Sequence, residues 1–182
     1  MTITEQQEQT QTAIETGTWK VDPVHSALGF EVRYMGIAKF SAPVEEFEAA
    51  VVDGRLSGAA RIASVEVKDE NLYAHLLSPE FFDAERHPEI GLSTGELVRR
   101  GGDVELEGEL TIKGVTRPIT LRGTITGPVA DPYGNPRYGL RLATTIDRTE
   151  FGIEWNADMP AGGKALSNDV TLRAELSLVQ AA

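Results

Sequence analysis

Residues 104–125, VELEGELTIKGVTRPITLRGTI, decide the fold class of this chain. Apolar and polar residues alternate on both sides of a short link that carries Gly114 and Pro118. A period of two places successive side chains on opposite faces of a strand, so one face is apolar and the other is wet. The stretch therefore predicts two antiparallel strands joined by a hairpin-length turn.

The same alternation recurs along most of the chain and predicts an all-β domain built from antiparallel strands. It is clearest in residues 28–34, 46–51, 138–142 and 170–178. Glycine costs stability in mid-strand, so Gly108 and Gly123, in the apolar register of adjacent strands, predict a bend or a close approach of the kind that coils a sheet into a barrel. We expect four small inward residues to leave part of the interior unfilled: Ala49, Gly108, Gly123 and Ala174.

Helix is expected mainly in the middle of the chain, as a short insert. Residues 71–77 have a helical apolar spacing, and Ser78 followed by Pro79 has the pattern of an N-cap and first helical residue. Residues 131–136, DPYGNP, predict a tight reversal.

The chain has 182 residues, which suits a single domain with its own core. Residues 1–17 predict a disordered or loosely helical polar tail, and residues 18–182 the folded domain. Residues 1–16 contain neither Lys nor Arg and no long apolar run, so no secretory signal is recognised and a cytoplasmic location is expected. No stretch predicts an integral membrane segment.

The composition of the chain disfavours several kinds of partner and functional site. A net charge of −11 disfavours nucleic acid as a partner, and the absence of cysteine excludes disulfides, thiol catalysis and cysteine-ligated metal. The three histidines are far apart in sequence, which favours structural roles over a metal site. Asp22, His25 and Ser26 suggest turn stabilisation, because adjacent Ser and His on a strand point to opposite faces. We therefore expect no metal, no cofactor and no catalytic group.

Aromatic and other large apolar residues are the stronger functional signal. Most single positions of this kind fill a core, but a closed barrel of about eight strands is wide enough to hold one small ligand. A long hydrocarbon gains about 0.8 kcal/mol per buried CH₂ before entropic losses. The residues expected to contact such a ligand are Phe30, Tyr34, Met35, Phe40, Phe47, Leu76, Phe81, Phe82, Ile90, Phe151 and Trp155.

Several spaced motifs in this order resemble the YceI family of polyisoprenoid-binding, lipocalin-like proteins. The resemblance covers residues 18–179, and its main motifs are DPVHS (22–26), SPEFFD (78–83), HPEI (87–90), LTIKGVTRP (110–118), IDRTEFGI (146–153) and DVTL (169–172). It implies an extended antiparallel β-barrel with a helical insert, an apolar pocket for isoprenoid chains including quinone tails, and frequent dimers. A homodimer is therefore an open expectation. Many members are exported and often carry a histidine where this chain has Tyr34, so the chain departs from the pattern twice.

The leading hypothesis is a non-enzymatic binding or carrier protein that holds a long isoprenoid lipid inside the barrel. A second hypothesis is an enzyme acting on a small hydrophobic or quinone substrate, with His25, Tyr34 or Glu150 as acid–base groups. A third is a packed structural barrel without a ligand. The volume and lining of the interior distinguish the first hypothesis from the third.

Overall fold

The computed structural model describes residues 11–12 and 14–182. Within these residues the fold is mostly β, with one α-helix, α1 (Glu70–Leu77), and three short 3₁₀ turns. The strands in chain order are β1 Gln11–Thr12, β2 Thr18–Val21, β3 Ala27–Tyr34, β4 Ala38–Pro43, β5 Phe47–Val52, β6 Arg55–Arg61, β7 Glu89–Glu96, β8 Val98–Arg100, β9 Asp103–Ile112, β10 Val115–Ala130, β11 Pro136–Asp147 and β12 Leu166–Gln180.

The strands form a closed antiparallel barrel, which confirms the predicted fold class. The ring runs β9, β10, β11, β12, β2, β5, β6, β7 and back to β9, so that eight strands enclose the interior. The turn Lys113–Gly114 joins β9 to β10, as the alternation predicts, with Ile112 opposite Val115. The hairpin of β3 and β4 is not a member of this ring; it pairs with one half of β12, and its inward side chains add to the core there.

The two halves of the barrel have separate hydrophobic clusters. At one end, which we call the plugged end, Trp19 packs edge-on against Tyr138 with ring centroids 4.8 Å apart, and both rings are buried. At the other, the lid end, α1 and the 3₁₀ turn Arg148–Phe151 close over the ring. Because both ends are covered by chain, the space between the two clusters is the part of the interior that remains available to a ligand.

At Gly108 and Gly123 the backbone of a neighbouring strand approaches closely and leaves no free volume beside the glycine. A Cβ on Gly108 would lie 2.6 Å from the carbonyl oxygen of Ser93, and one on Gly123 would overlap the carbonyl oxygen of Arg141. The predicted close approach is therefore confirmed. The expectation that these two glycines leave the interior unfilled is wrong, because neighbouring backbone occupies that space.

Two local predictions are also corrected. In the described part of the predicted tail, β1 pairs with β8, and Ile14 is only 1% exposed within the core cluster; residues 1–10 and 13 lie outside the described residues. Ser78 ends α1, and its hydroxyl donates to the carbonyl of His75 at 2.7 Å. The residue that begins the helix is Asp69, whose carboxylate accepts from the amide of Leu72 at 2.8 Å. The predicted reversal at residues 131–136 is confirmed by the turn there.

Candidate functional site

An apolar cavity of about 130 Å³ lies between the two clusters of the barrel. Side chains from both halves of the ring border it, and the lining residues are Leu28, Gly29, Phe30, Val44, Phe47, Glu48, Ala49, Leu56, Gly58, Ala59, Ala60, Ile90, Leu92, Leu110, Ile119, Leu121, Leu142, Thr144, Leu172, Arg173, Ala174 and Leu176. Apolar cavities of about 150 Å³ in protein interiors stay dry and admit a benzene-sized guest. The cavity is therefore large enough for one small apolar group as it stands.

Strand alternation explains the chemistry of the lining. Glu48 lies between Phe47 and Ala49, and Arg173 lies between two inward residues of β12, so both charged side chains take the opposite face. Thr144 has the inward register and is the polar side chain of the lining that shares the face of its apolar neighbours. The cavity consequently offers dispersion contacts and one hydroxyl group, with no ion pair.

Three of the eleven residues predicted to contact a ligand line this cavity: Phe30, Phe47 and Ile90. Ala49 and Ala174, two of the small residues expected to leave space, line it as well. The remaining lining is mainly aliphatic. These aliphatic residues were not among those predicted to contact a ligand, although strand alternation gives most of them the inward register.

Most of the other predicted residues come together directly above the cavity, in the cluster at the lid end. Leu76, Phe81 and Phe151 are buried there, and Phe40, Phe82 and Trp155 are partly buried against them. These six residues therefore share one cluster. In this structure they fill the upper barrel as packed core.

The lid contains a ring cluster around His75. The imidazole lies edge-on to Phe81 and Trp155, with centroids 4.8 and 4.7 Å away, and its Nε2 is 2.6 Å from Glu80. These contacts join α1 to the segment that follows it and to the loop after the 3₁₀ turn. The lid is thus held together largely by ring packing.

Two cations fasten the lid to the barrel wall. Lys113, at the β9–β10 turn, donates to the carbonyls of Pro79 at 2.6 Å and Gly152 at 3.2 Å. Arg148 is buried, and burial lowers the pKa of its guanidinium below the usual range. The guanidinium donates to the carbonyls of Ser167, Ile153 and Trp155 at 2.8–3.0 Å, while its Nη2 has no partner among the described residues.

Tyr34 and Met35 lie away from the cavity. They are 45% and 40% exposed at the turn between β3 and β4, which extends past the lid end of the ring. Tyr34 keeps the inward register of β3, as alternation predicts, but its part of the strand lies beyond the enclosed interior. The expectation that these two residues line the tunnel is therefore not met in this structure.

The acid–base groups of the enzyme hypothesis are spread over the molecule. His25 lies at the plugged end, where its Nδ1 is 2.8 Å from Asp22, whereas Tyr34 is at the opposite end of β3. Glu150 is exposed on the 3₁₀ turn, and none of the three lines the cavity. Asp22 also caps the turn by accepting from the amide of Val24, as the turn-stabilising interpretation predicts.

An open groove of about 550 Å³ lies on the outer wall, where β10 and β11 separate before their pairing begins at Arg122 and Ala143. Arg117, Asp147 and Glu150 are among the charged residues on its rim. Hydrogen bonds from the hydroxyl and amide of Thr149 lower the pKa of Asp147. The groove has a larger volume than the inner cavity, but its charged residues and open walls make it less suited to an apolar ligand.

Among residues 11–12 and 14–182, no three His, Asp or Glu side chains lie close enough together to hold a metal ion. In the same part of the chain, no helix has both the length and the hydropathy needed to cross a membrane.

The geometry agrees with that of known relatives. A UPF0312 protein of Staphylococcus aureus is 29% identical over 161 residues, covering 84% of this chain and 92% of its own length. A YCEI protein of Campylobacter jejuni has the same fold, with a TM-score of 0.71 at 21% identity over 82% of this chain and 90% of its own. A polyisoprenoid binding domain from Saccharophagus degradans matches with a TM-score of 0.71 at 11% identity, covering 92% and 100% of the two chains.

The family profile described as the YceI-like domain matches residues 19–178, which span the barrel from Trp19 in β2 to Leu178 in β12. The match includes the hairpin outside the ring and both parts of the lid. The chain therefore belongs to the YceI-like domain family.

Proposed function

We propose that this protein binds the chain of a long isoprenoid lipid, a polyisoprenoid or a quinone tail, inside the barrel and carries it without chemical change. The observation that carries the proposal is the apolar cavity in the barrel, of whose 22 lining residues 19 are apolar or glycine. The fold shared with a polyisoprenoid binding domain of Saccharophagus degradans supports the same ligand class.

The volume of the cavity sets a condition on this proposal. At about 130 Å³ it holds a group of roughly benzene size, so a long chain requires the interior to expand. The lid end is the part most suited to yield, because Phe40, Phe82 and Trp155 in its cluster are only partly buried. Each five-carbon unit that enters gains about 4 kcal/mol by burial, which offsets the cost of moving such side chains.

The lining also accounts for a carrier role. A cavity with one inward hydroxyl, Thr144, and no inward charge stabilises an apolar chain without polarising any bond in it. A polar head group is expected near the lid end, where the chain would enter.

The test combines lipid extraction with a matched pair of variants. We expect mass spectrometry of extracted protein to recover an isoprenoid lipid, or added octaprenyl compounds to bind at one per barrel. Ala174→Leu, which fills the cavity, should weaken this binding at least tenfold. Ala130→Leu adds the same side chain at an exposed position of β10 and should leave binding unchanged.

A straight-chain fatty acid of similar length serves as the comparison ligand, because equal affinity would remove the isoprenoid specificity from the proposal. Recovery of no lipid, together with no binding of octaprenyl compounds, would contradict the proposal as a whole. Turnover of a quinone substrate that is lost in a His25→Ala or Glu150→Gln variant would favour the enzyme hypothesis.

A further inference from the structure

The turn between β3 and β4 presents apolar side chains to solvent. In residues 34–37, the tip of this hairpin, Tyr34, Met35 and Ile37 are 45%, 40% and 83% exposed. Isolated exposed apolar residues are common, but three within four residues at one projection form a cluster of the kind that marks an interaction site.

The backbone of the tip is strained in a way that favours this display. Met35 has a φ of 55° and Gly36 a φ of 70°, so a bulky residue occupies the left-handed region that usually holds Gly, Asn or Asp. The amide of Ile37 donates to the carbonyl of Tyr34 at 3.2 Å and closes the two-residue turn. Strain retained at an exposed apolar turn points to a role for the side chain displayed there.

The tip is continuous with the cavity along one apolar surface. On β3, Tyr34, Val32 and Phe30 share the inward face, and Phe30 lines the cavity. Their partners on the same face are apolar in both neighbouring strands: Leu166, Val170 and Leu172 on β12, and Ala38, Phe40 and Ala42 on β4. Strands β3 and β4 therefore carry a continuous apolar strip from the cavity wall to the exposed tip, whereas on β12 Ser167, Asn168 and Asp169 interrupt it at a register shift.

The charges around the tip differ from those of the whole protein. Arg33 precedes it and donates to the carbonyl of Gly36 at 3.3 Å, while Lys39 follows it and pairs with Glu31 at 3.0 Å. The hairpin end is thus slightly basic on a chain whose net charge is −11. An apolar tip flanked by basic residues suits the interface of a bilayer, where apolar side chains enter and cations stay at head-group level.

From these observations we propose that the β3–β4 tip docks the protein on a lipid bilayer, with Tyr34, Met35 and Ile37 entering the interface and the apolar strip guiding a chain from the membrane to the cavity. This deepens the proposed function and rests on it for the guided chain, but the docking itself requires no bound lipid. A second copy of this chain is the less suited occupant, because Lys39 lies on the outer edge of β4 and charged residues at a strand edge oppose edge-to-edge pairing.

The docking test uses neutral phosphatidylcholine vesicles that contain no isoprenoid, with binding measured by flotation. We expect the full chain to float with the vesicles and Ile37→Asp to bind at least tenfold more weakly. Tyr133→Asp places the same charge on a residue 90% exposed at the plugged end and should bind like the unmodified protein. Ile37→Trp should show a blue-shifted emission component on addition of vesicles, quenched by brominated lipids at shallow depth.

Salt provides a second measurement. Binding to neutral vesicles should persist as salt is raised. Binding to phosphatidylglycerol vesicles should be weaker at low salt than at high salt, because at low salt the Debye length is longer and the net charge of −11 repels the anionic surface. Absence of binding to neutral vesicles, or equal binding by Ile37→Asp, would overturn the proposal. Self-association that Ile37→Asp abolishes, without vesicle binding, would replace the bilayer by a second copy.

The two proposals fail separately. Ala174→Leu should lose the isoprenoid yet still float with neutral vesicles, since its change lies inside the barrel. Ile37→Asp should still bind an isoprenoid delivered from detergent but receive it at least tenfold more slowly from vesicles. Normal vesicle transfer by Ile37→Asp would refute the guiding role of the tip and leave binding inside the barrel intact.

Discussion

The guanidinium of Arg137 in β11 lies 2.8 Å from the carboxylate of Asp22, a residue 115 positions earlier in the chain. Its Nε is also 2.8 Å from Asp131 in the β10–β11 turn. One half-buried cation therefore joins the entrance of β3 to a distant hairpin at the plugged end. Hydrogen bonds from His25 and Arg137 lower the pKa of Asp22 to about 2, and one from Arg137 is the main cause that lowers the pKa of Asp131 to about 2.

This junction predicts a specific acid sensitivity. A depressed carboxyl pKa contributes stability that is complete above the unfolded value of 3.8 and is lost as pH falls toward about 2. The thermal midpoint, followed by circular dichroism from about pH 6 to about pH 2, should therefore drop mainly below about pH 4. Arg137→Gln should be less stable at the higher pH and should lose less over the acidic window.

The control for that experiment is Arg141→Gln, because Arg141 forms an exposed and longer pair with Glu175 at 3.8 Å. It should keep the acid profile of the unmodified protein. An unchanged profile in Arg137→Gln would show that the acid sensitivity arises elsewhere.

The close approach of neighbouring strands at Gly108 predicts that two similar glycine substitutions differ sharply in their effect on stability. Gly108→Ala should destabilise the barrel by about 1–3 kcal/mol, because its Cβ would meet the backbone of Ser93 and Thr94. Gly139→Ala, on β11 with no atom within 4 Å of its Cβ, should change stability by less than about 1 kcal/mol. Urea unfolding measures both, and equal stabilities would mean that β9 and β7 separate without cost.

The hydrogen bonds of Lys113 predict a local effect on the lid. Lys113→Met keeps the aliphatic stem but removes the donors to Pro79 and Gly152, so amide exchange should accelerate in residues 78–88 and 148–153. We expect the global free energy of unfolding to fall by only about 1 kcal/mol. Lys164→Met removes an exposed ion pair with Asp158 and should leave exchange in both segments unchanged. Faster exchange throughout the barrel would instead indicate a global role for Lys113.

The hydrogen bonds of the buried Arg148 predict a larger loss of stability when this residue is replaced. Arg148→Met leaves the carbonyls of Ser167, Ile153 and Trp155 without their donor, at a cost of about 3 kcal/mol or more. Arg148→Lys should recover little of this, because one ammonium cannot reproduce the planar fork that reaches all three oxygens. Chemical denaturation gives the free energy, and near-ultraviolet circular dichroism in a Trp19→Phe background, where Trp155 is the remaining tryptophan, reports the lid. Full recovery by Lys would show that charge alone suffices.

Much of this architecture was predictable from the sequence because strand alternation is a local signal. The faces of β9, β10 and β12 follow directly from the spacing of their apolar residues, and alternation likewise gives Phe30 and Phe47 the inward register with which they line the cavity. The short helix was predicted for the same reason, from the spacing of its apolar residues.

The remaining features depend on distances that alternation does not encode. Gly108 has the inward register whether the space beside it is empty or occupied by the neighbouring strand, and only the close approach of β7 decides between the two. Tyr34 is inward in register, but the length of β3 relative to the ring leaves it exposed. Ser78 before Pro79 is compatible with either a helix start or a helix end, and the cap at Asp69 determines which occurs.

The packing of Trp19 against Tyr138 closes the plugged end beneath the residues that line the cavity, so a chain that enters from the lid end meets no passage through that end. Any linear guest must then enter and leave through the same opening, with the terminus that goes in first coming out last. The distance from the lid end to this closed end limits how many carbons can be sheltered, and longer molecules must leave their remainder outside. Such a pocket holds a chain only up to a fixed length, and replacing Trp19 by a smaller residue should increase that length.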